Sequence, residues 1–184
     1  LVGMVSRLTY QKGIDLLKDV LPDMMPSRDF SLVVLGSGEH EHEEFFHWMH
    51  AGFPARVSFW QGFNDPLAHR IEAGADIFLM PSRYEPCGLN QMYSLKYGTV
   101  PVVRATGGLT DSVQHFDSRT GKGTGVVFHD YDANGLKWAL NTAFDLYRNK
   151  HAWKQITYNA MTKDYSWQEQ GKIYLERFSR LISS

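Results

Sequence analysis

The sequence has little cysteine, little net charge and no long apolar run, and each shortage excludes a class of protein. Its single cysteine, Cys87, cannot form an internal disulfide, so we expect a reducing compartment. Lys and Arg number 19 against 20 Asp and Glu, and a net charge near zero does not favour nucleic acid or a membrane surface as partner. No apolar run approaches the roughly 20 residues that span a bilayer, and no leader pattern occurs. We therefore expect a cytoplasmic globular domain.

What the sequence does contain is an alternation of short apolar runs with helical patterns. The runs are almost continuously apolar, as is typical of parallel strands covered on both faces. We predict strands over 1–6, 30–36, 56–62, 76–82, 99–105 and 124–130. We predict helices over 12–25, 41–52, 66–74, 89–98 and 108–116, and then a helical tail with segments near 132–148, 151–162 and 167–182. This order predicts an α/β fold, a doubly wound, Rossmann-like parallel sheet of about six strands, in one domain over residues 1–184.

In such a sheet, ligands bind at the carboxyl ends of the strands, and the first of these loops carries two cations. Arg7 and Lys12 surround the end of the first strand, and Gly13 lies near the start of the next helix. A guanidinium, an ammonium and a helix N-terminus together make a good anion site. On composition alone, however, a solvated surface pair is the favoured interpretation.

Two further loops offer weaker signals. Gly36 and Gly38 follow the second strand, but Glu41 stands where a dinucleotide fingerprint needs its third glycine, so a glycine-rich turn that lines a nucleotide crevice fits better than an NAD site. Phe63 ends the third strand, and its ring could stack on a base or cap the core; the residues alone slightly favour the core.

The histidines in and just before the second predicted helix invite a metal interpretation, which the sequence does not favour. His40, His42, His47 and His50 are close together, but their neighbours are Glu, Phe, Trp and Met, without cysteine. A solvated helix face is the preferred interpretation over a zinc site.

The loop after the fourth strand, Glu85-Pro-Cys-Gly-Leu-Asn90, combines an acid with a strand-to-helix turn. Glycine in this turn allows close approach to a ligand, and the first N–H groups of the helix would face an anion. The Cys87 thiol has no histidine close in sequence to act as a base, so a small residue that fills the turn is the favoured interpretation. A second glycine-bearing turn, Thr106–Gly108, follows the fifth strand. Together with Arg7 and Lys12, the two turns predict a pocket for a diphosphate and a sugar.

Several of these segments resemble one enzyme family. The stretches "VSRLTYQKG", "LGSGE", "PSRYEPCGLNQMYSLKYGTVPVVRATGGLTDSV", "GTGVVFHDYD" and "YSWQEQGKIYLERF" are similar to bacterial glycogen synthases and plant starch synthases, which are retaining glucosyltransferases of the two-domain GT-B architecture. The resemblance covers essentially the whole chain and matches the C-terminal, donor-nucleotide domain. Because the chain also opens at Leu1 directly in a strand pattern, we expect it to be one half of a GT-B enzyme.

The resemblance implies a role for each matching residue. Arg7 and Lys12 bind the donor diphosphate and stabilise the leaving group, Phe63 packs against adenine, and Glu85 lies beside the transferred glucose. The backbone of the two turns meets sugar and phosphate; its residues are Cys87, Gly88, Leu89, Asn90, Thr106, Gly107 and Gly108. Related GT-B enzymes often carry a second Glu eight residues after the first, where this chain has Tyr93, so Tyr93 is left out of the predicted site.

The implied reaction transfers glucose from ADP-glucose to the non-reducing end of an α-1,4-glucan, with retention of configuration and release of ADP. No cofactor and no metal are expected. The implied partners are the glucan and an N-terminal domain of the same protein, toward which the tail 150–184 is expected to pack; a plant member would be plastidial. The alternatives are an isolated nucleotide-binding module without activity, or a retaining GT-B enzyme that uses UDP-glucose. An oxidoreductase would need a complete fingerprint after the first strand, and a sugar-nucleotide epimerase has no reason to carry "EPCGLNQ".

Overall fold

The predicted doubly wound sheet is confirmed in a computed structural model of the chain, which describes residues 1–182. Six parallel strands lie in the order β3-β2-β1-β4-β5-β6. Their bounds are β1 Val2–Val5, β2 Leu32–Gly36, β3 Val57–Gln61, β4 Ile77–Met80, β5 Val100–Arg104 and β6 Val126–Phe128. Each is within a few residues of its predicted range, since a continuous apolar run identifies a strand that is covered on both faces.

The helices alternate with the strands and then continue alone. Their bounds are α1 Ile14–Ser27, α2 His40–Gly52, α3 Asp65–Gly74, α4 Asn90–Tyr97, α5 Gly108–Ser112, α6 Ala133–Arg148, α7 Lys150–Met161 and α8 Trp167–Ile182. Polar residues cap several of them: Asp132 accepts a hydrogen bond from the Gly135 N–H at 2.7 Å, and Asn64 accepts one from the Leu67 N–H at 3.0 Å. Within residues 1–182, no helix is long and apolar enough to cross a bilayer.

One helix end differs from the prediction. The pattern over 108–116 predicts a longer helix, but α5 ends at Ser112. After it the chain turns to the loop before β6, where the Phe116 N–H donates to the Gly125 carbonyl at 2.9 Å. This non-local pairing replaces the helical hydrogen bonds, and it cannot be read from the spacing of apolar residues.

The two helices of the tail that follow α6 pack differently. α7 buries Ala152, Ile156 and Ala160 against the domain. In α8, by contrast, none of the described residues is buried. The core itself lies between the sheet and helices such as α1 and α6, whose buried residues recur at helical spacing.

The strand order fixes where a ligand can enter. The chain runs from β1 to β3 on one side of the sheet and from β4 to β6 on the other, so the order reverses between β1 and β4. At such a switch point the strand-to-helix loops diverge and leave a crevice at the carboxyl ends. The loops that contain Arg7, Lys12 and Glu85 follow these two strands.

Candidate functional site

A cleft of about 190 Å³ lies at the switch point between β1 and β4. It is lined by Met4, Val5, Ser6, Arg7, Lys12, Leu79, Met80, Ser82, Glu85, Gly88, Leu89 and Asn90. The two strands supply an apolar floor, and the loops supply two cations and a carboxylate. Six of the predicted site residues, from the two loops that follow β1 and β4, therefore meet in one cavity.

The centre of this cleft, hereafter the first cleft, is an ion pair between Lys12 and Glu85. Lys12 Nζ lies 2.5 Å from Glu85 Oε2, although the two residues are 73 positions apart. Ser82 Oγ also donates to Glu85 Oε2, at 3.4 Å. The side chains are only 17% and 8% exposed. The composition-based interpretation of Lys12 as a solvated surface residue is therefore wrong.

Arg7 lines the same cleft. Its side chain is exposed and, within residues 1–182, forms no ion pair. An unpaired guanidinium beside a Lys–Glu pair gives the cleft a local positive charge. This arrangement suits a dianionic group such as a diphosphate.

The turn 85–90 places backbone groups against this cleft. Gly88 has φ +73°, a conformation that favours glycine. α4 begins at Asn90, and the first N–H groups of a helix have no intrahelical acceptors. The Asn90 side chain donates to the Val5 carbonyl at 2.9 Å and so fixes the helix start to the end of β1. Gly88, Leu89 and Asn90 all line the cleft, in a position to meet an anion.

The second glycine-bearing turn lies behind the first. The Gly108 N–H donates to the Glu85 carbonyl at 3.0 Å, and a Cβ on Gly107 would lie 2.0 Å from that carbonyl oxygen. Gly107 also has φ +47°. In the described part of the chain, Thr106, Gly107, Gly108 and the exposed Cys87 line neither this cleft nor the next one. The glycines thus allow the two turns to pack together, which fixes the position of Glu85.

Two arginines that the sequence reasoning did not single out support the same loop. Arg104, at the end of β5, donates to the carbonyls of Ser82, Arg83 and His129. Arg83 is held between two aromatic rings, 4.0 Å from the Tyr10 centroid and 4.1 Å from that of Tyr131. The sequence does not indicate these contacts, because Tyr10, His129 and Tyr131 are all far from the loop along the chain.

A second cleft of about 330 Å³ joins the first. The two share Val5, Ser6, Arg7 and Asn90. The other residues of the second cleft are Leu35, Gly36, Ser37, Gly62, Phe63, Asn64, Asp65, Ala68, His69, Glu72 and Tyr93. Phe63 is 90% exposed, so the slight preference for a core position is wrong, and its ring is free to stack on a ligand. Tyr93, which the sequence analysis left out, lines this cleft as well.

A buried acid also lines the second cleft. Glu72 is 2% exposed, and its Oε2 lies 3.2 Å from His69 Nδ1. Burial raises the pKa of the Glu72 carboxyl above its ordinary value of 4.5, although the neighbouring His69 opposes this. In the sequence, the three-residue spacing of His69 and Glu72 on a predicted helix indicates that the two side chains can meet. The sequence does not reveal that this helix face lines a cleft.

The histidines of α2 do not form a uniformly solvated face. His42 is only 1% exposed and lies between two carboxylates, 3.3 Å from Glu39 and 3.5 Å from Glu41. Burial and the nearby Lys18 lower the pKa of His42. Lys18 Nζ also lies 3.4 Å from Glu41 and supplies positive charge to the cluster. The predicted solvated face is therefore wrong for His42.

Comparison with known proteins gives consistent relatives. The sequence pattern of the glycosyl transferases group 1 matches residues 1–160. A glycogen synthase of Bacillus cereus (strain B4264) is 44% identical over 99% of the chain, and one of Geobacillus thermodenitrificans is 47% identical over 99%. The catalytic domain of starch synthase IV from Arabidopsis thaliana, bound to ADP and acarbose, superposes over the whole chain with a TM-score of 0.85 and 31% identity. The chain spans 37–38% of the length of these proteins.

Proposed function

The chain belongs to the group 1 glycosyl transferases, and we propose that it is the donor-binding half of a glycogen or starch synthase. In this proposal glucose passes from ADP-glucose to the non-reducing end of an α-1,4-glucan with retention of configuration. The observation that carries the proposal is the joined pair of clefts: a Lys–Glu pair lies in one, and an exposed aromatic ring lies in the other. A nucleotide sugar has the matching order of groups, from sugar through diphosphate to base.

Each end of the donor has a complementary part of the site. The first cleft offers Arg7, Lys12 and the start of α4, which together favour a diphosphate. The second cleft offers the face of Phe63 for a base. Glu85, which lines the first cleft, is the proposed acceptor for the hydroxyls of the transferred sugar.

The proposed chemistry is electrostatic. As the bond between the glucose C1 and the diphosphate oxygen breaks, negative charge grows on the leaving diphosphate and positive charge grows on the sugar ring. Lys12 and Arg7 stabilise the first, and the Glu85 carboxylate stabilises the second; preorganised charges of this kind are usually the largest contribution to catalysis. These side chains supply the charge required, and we propose that the reaction uses no metal ion.

The base identity and the acceptor come from the relatives rather than from the clefts. An exposed Phe63 stacks on adenine or uracil alike. The starch synthase relative is described with ADP and acarbose bound, which supports ADP as the nucleotide and a glucan as the acceptor. Because the chain spans less than two fifths of its relatives, we propose that the glucan binds between this domain and a second domain of the same protein.

The test combines binding with transfer. Calorimetry with ADP and UDP measures nucleotide binding to the chain, and radiolabelled ADP-glucose with glycogen measures transfer. We expect ADP to bind and the chain alone to transfer no glucose, whereas a longer protein with the second domain is active. Glucose transfer by the chain alone would contradict the two-domain site, and binding of UDP in preference to ADP would favour a UDP-glucose enzyme.

A further inference from the structure

The second cleft contains a buried carboxylate to which the donor assignment gives no role. Glu72 lies on α3 with a side chain 3% exposed, and it lines the same cleft as Phe63 and Arg7. A buried carboxylate is costly unless donors reach it. Within residues 1–182 its one ion-pair partner is His69, and Oε2 has no hydrogen bond of acceptable geometry. The carboxylate is therefore a strong acceptor with unused capacity at the wall of a ligand cleft.

The position of the cleft indicates which part of a ligand such an acceptor meets. If a base stacks on Phe63 and a diphosphate binds at Arg7, the pentose that joins them must lie in the second cleft, which both residues line. The pentose presents two neighbouring hydroxyl donors, and a carboxylate is well suited to accept hydrogen bonds from such a pair. Asp65 also lines the cleft, but its side chain is 69% exposed, so water competes for it.

His69 holds the carboxylate in place. Its Nδ1 lies 3.2 Å from Glu72 Oε2, and its ring packs edge-on against Tyr93 at 5.8 Å and Tyr97 at 6.4 Å. These contacts fix the imidazole between α3 and α4. The imidazole thus restrains the carboxylate without satisfying Oε2 by a hydrogen bond.

We propose that the Glu72 carboxylate, oriented by His69, accepts hydrogen bonds from the ribose hydroxyls of the bound nucleotide and makes the site selective for ribonucleotides. The inference rests on the proposed function in one respect, namely that the clefts bind a nucleotide. It adds a specificity-determining residue and a chemical feature of the ligand that the donor assignment leaves open.

The test compares ribonucleotides with deoxyribonucleotides. The full chain is titrated in a calorimeter with ADP, 2′-deoxy-ADP and 3′-deoxy-ADP. A hydrogen bond to a charged group is lost in at least one analogue, so we expect that analogue to bind about 10- to 100-fold more weakly than ADP. In Glu72→Gln this difference should shrink to about threefold or less, because ADP itself binds more weakly. Glu44→Gln, which alters an exposed acid on α2, should retain the wild-type difference.

The possible outcomes separate this inference from the proposed function. Equal binding of all three nucleotides to the wild type overturns the inference, needs no variant and leaves ADP binding intact. If Glu72→Gln weakens the binding of all three nucleotides by the same factor, the inference is also overturned, because a purely structural role of Glu72 predicts that result. If ADP does not bind but UDP does, the ADP-glucose assignment fails. The inference is then tested by the ratio of the affinities for UDP and 2′-deoxy-UDP, and equal affinities overturn it. If no nucleotide binds, both fail.

Discussion

At the scale of single residues, the charge of Glu85 is the feature on which the proposed chemistry depends. Its carboxylate contacts Lys12 and Ser82, and its backbone carbonyl is fixed by Gly108. The Glu85→Gln substitution keeps the shape of the side chain and its ability to accept hydrogen bonds, but it removes the negative charge. It therefore tests charge separately from packing.

We expect Glu85→Gln to lower glucose transfer by about 100-fold or more, because the positive charge that develops on the sugar loses its stabilising partner. ADP affinity should stay within about threefold, since Arg7, the helix start and Phe63 are unchanged. Transfer is measured with radiolabelled ADP-glucose in a length of the protein that is active, and affinity by calorimetry, with Glu44→Gln as the control. Loss of ADP binding would instead indicate that Glu85 has a structural role.

A second residue-scale prediction concerns the pH dependence of stability. Because burial raises the pKa of Glu72 above 4.5, the folded state holds this proton to a higher pH than the unfolded state. The stability that this provides is present below pH 4.5 and is lost as the pH rises through the folded-state pKa. Glu72→Gln removes that loss, so we expect it to stabilise the fold near neutral pH by roughly 1 kcal/mol and to have little effect near pH 4.

Urea denaturation from about pH 4 to pH 8 checks the sign, with Glu44→Gln as the exposed control. A difference from wild type that does not grow with pH would refute the expectation. A stabilised variant with weaker nucleotide binding would further show that the buried carboxylate is retained for function at a cost in stability.

At the scale of secondary-structure elements, the sequence predicts the order of the elements well and their mutual contacts poorly. Parallel strands show as continuous apolar runs because both faces are covered, and this signal is local. The end of α5 and the pairing of Lys12 with Glu85 depend on segments far away in sequence. Phe63 illustrates the same limit, since nothing local states whether an aromatic ring at a strand end faces the core or a cleft. The role of a residue in the site follows from the three-dimensional packing of loops.

The contact between the two glycine-bearing turns gives a prediction at this scale. Alanine at position 107 requires a left-handed φ of +47° and places its Cβ 2.0 Å from the Glu85 carbonyl oxygen. We expect Gly107→Ala to destabilise the fold by about 2–4 kcal/mol and to displace the Glu85 turn, which lowers transfer more than nucleotide binding.

Gly74→Ala is the matched control. A Cβ at that position, the last residue of α3, meets no atom within 4 Å, so the substitution should stabilise the fold by about 0.5–1 kcal/mol. Thermal or urea denaturation of both variants measures the contrast. Gly107→Ala as stable as wild type would mean that the two turns separate easily and do not fix Glu85.

At the scale of the whole molecule, the buried core of the domain extends to α7 but not to α8. α7 buries three alanine or isoleucine side chains, and the Tyr165 hydroxyl donates to the Ser112 carbonyl at 2.5 Å. α8 has no buried residue over its described length, yet one face carries large apolar side chains, among them Trp167 at 77% exposure and Leu175 at 69%. Over residues 150–182 the predicted tail is thus two units: α7 belongs to the core and α8 does not. The proposed second domain would cover the apolar face of α8.

This division predicts the effect of truncation. A chain that ends at Ser166 loses no buried contact of the core, so its free energy of unfolding should remain within about 0.5 kcal/mol of the full chain, with nearly the same urea dependence. ADP affinity should also be retained, because no residue of α8 lines the first or second cleft within the described chain. Urea denaturation followed by circular dichroism, together with calorimetry, measures both. A loss of several kcal/mol would show that α8 packs on the domain in solution, since removal of a packed helix exposes the apolar surface that it covers. A loss of ADP binding at unchanged stability would instead place α8 beside the nucleotide.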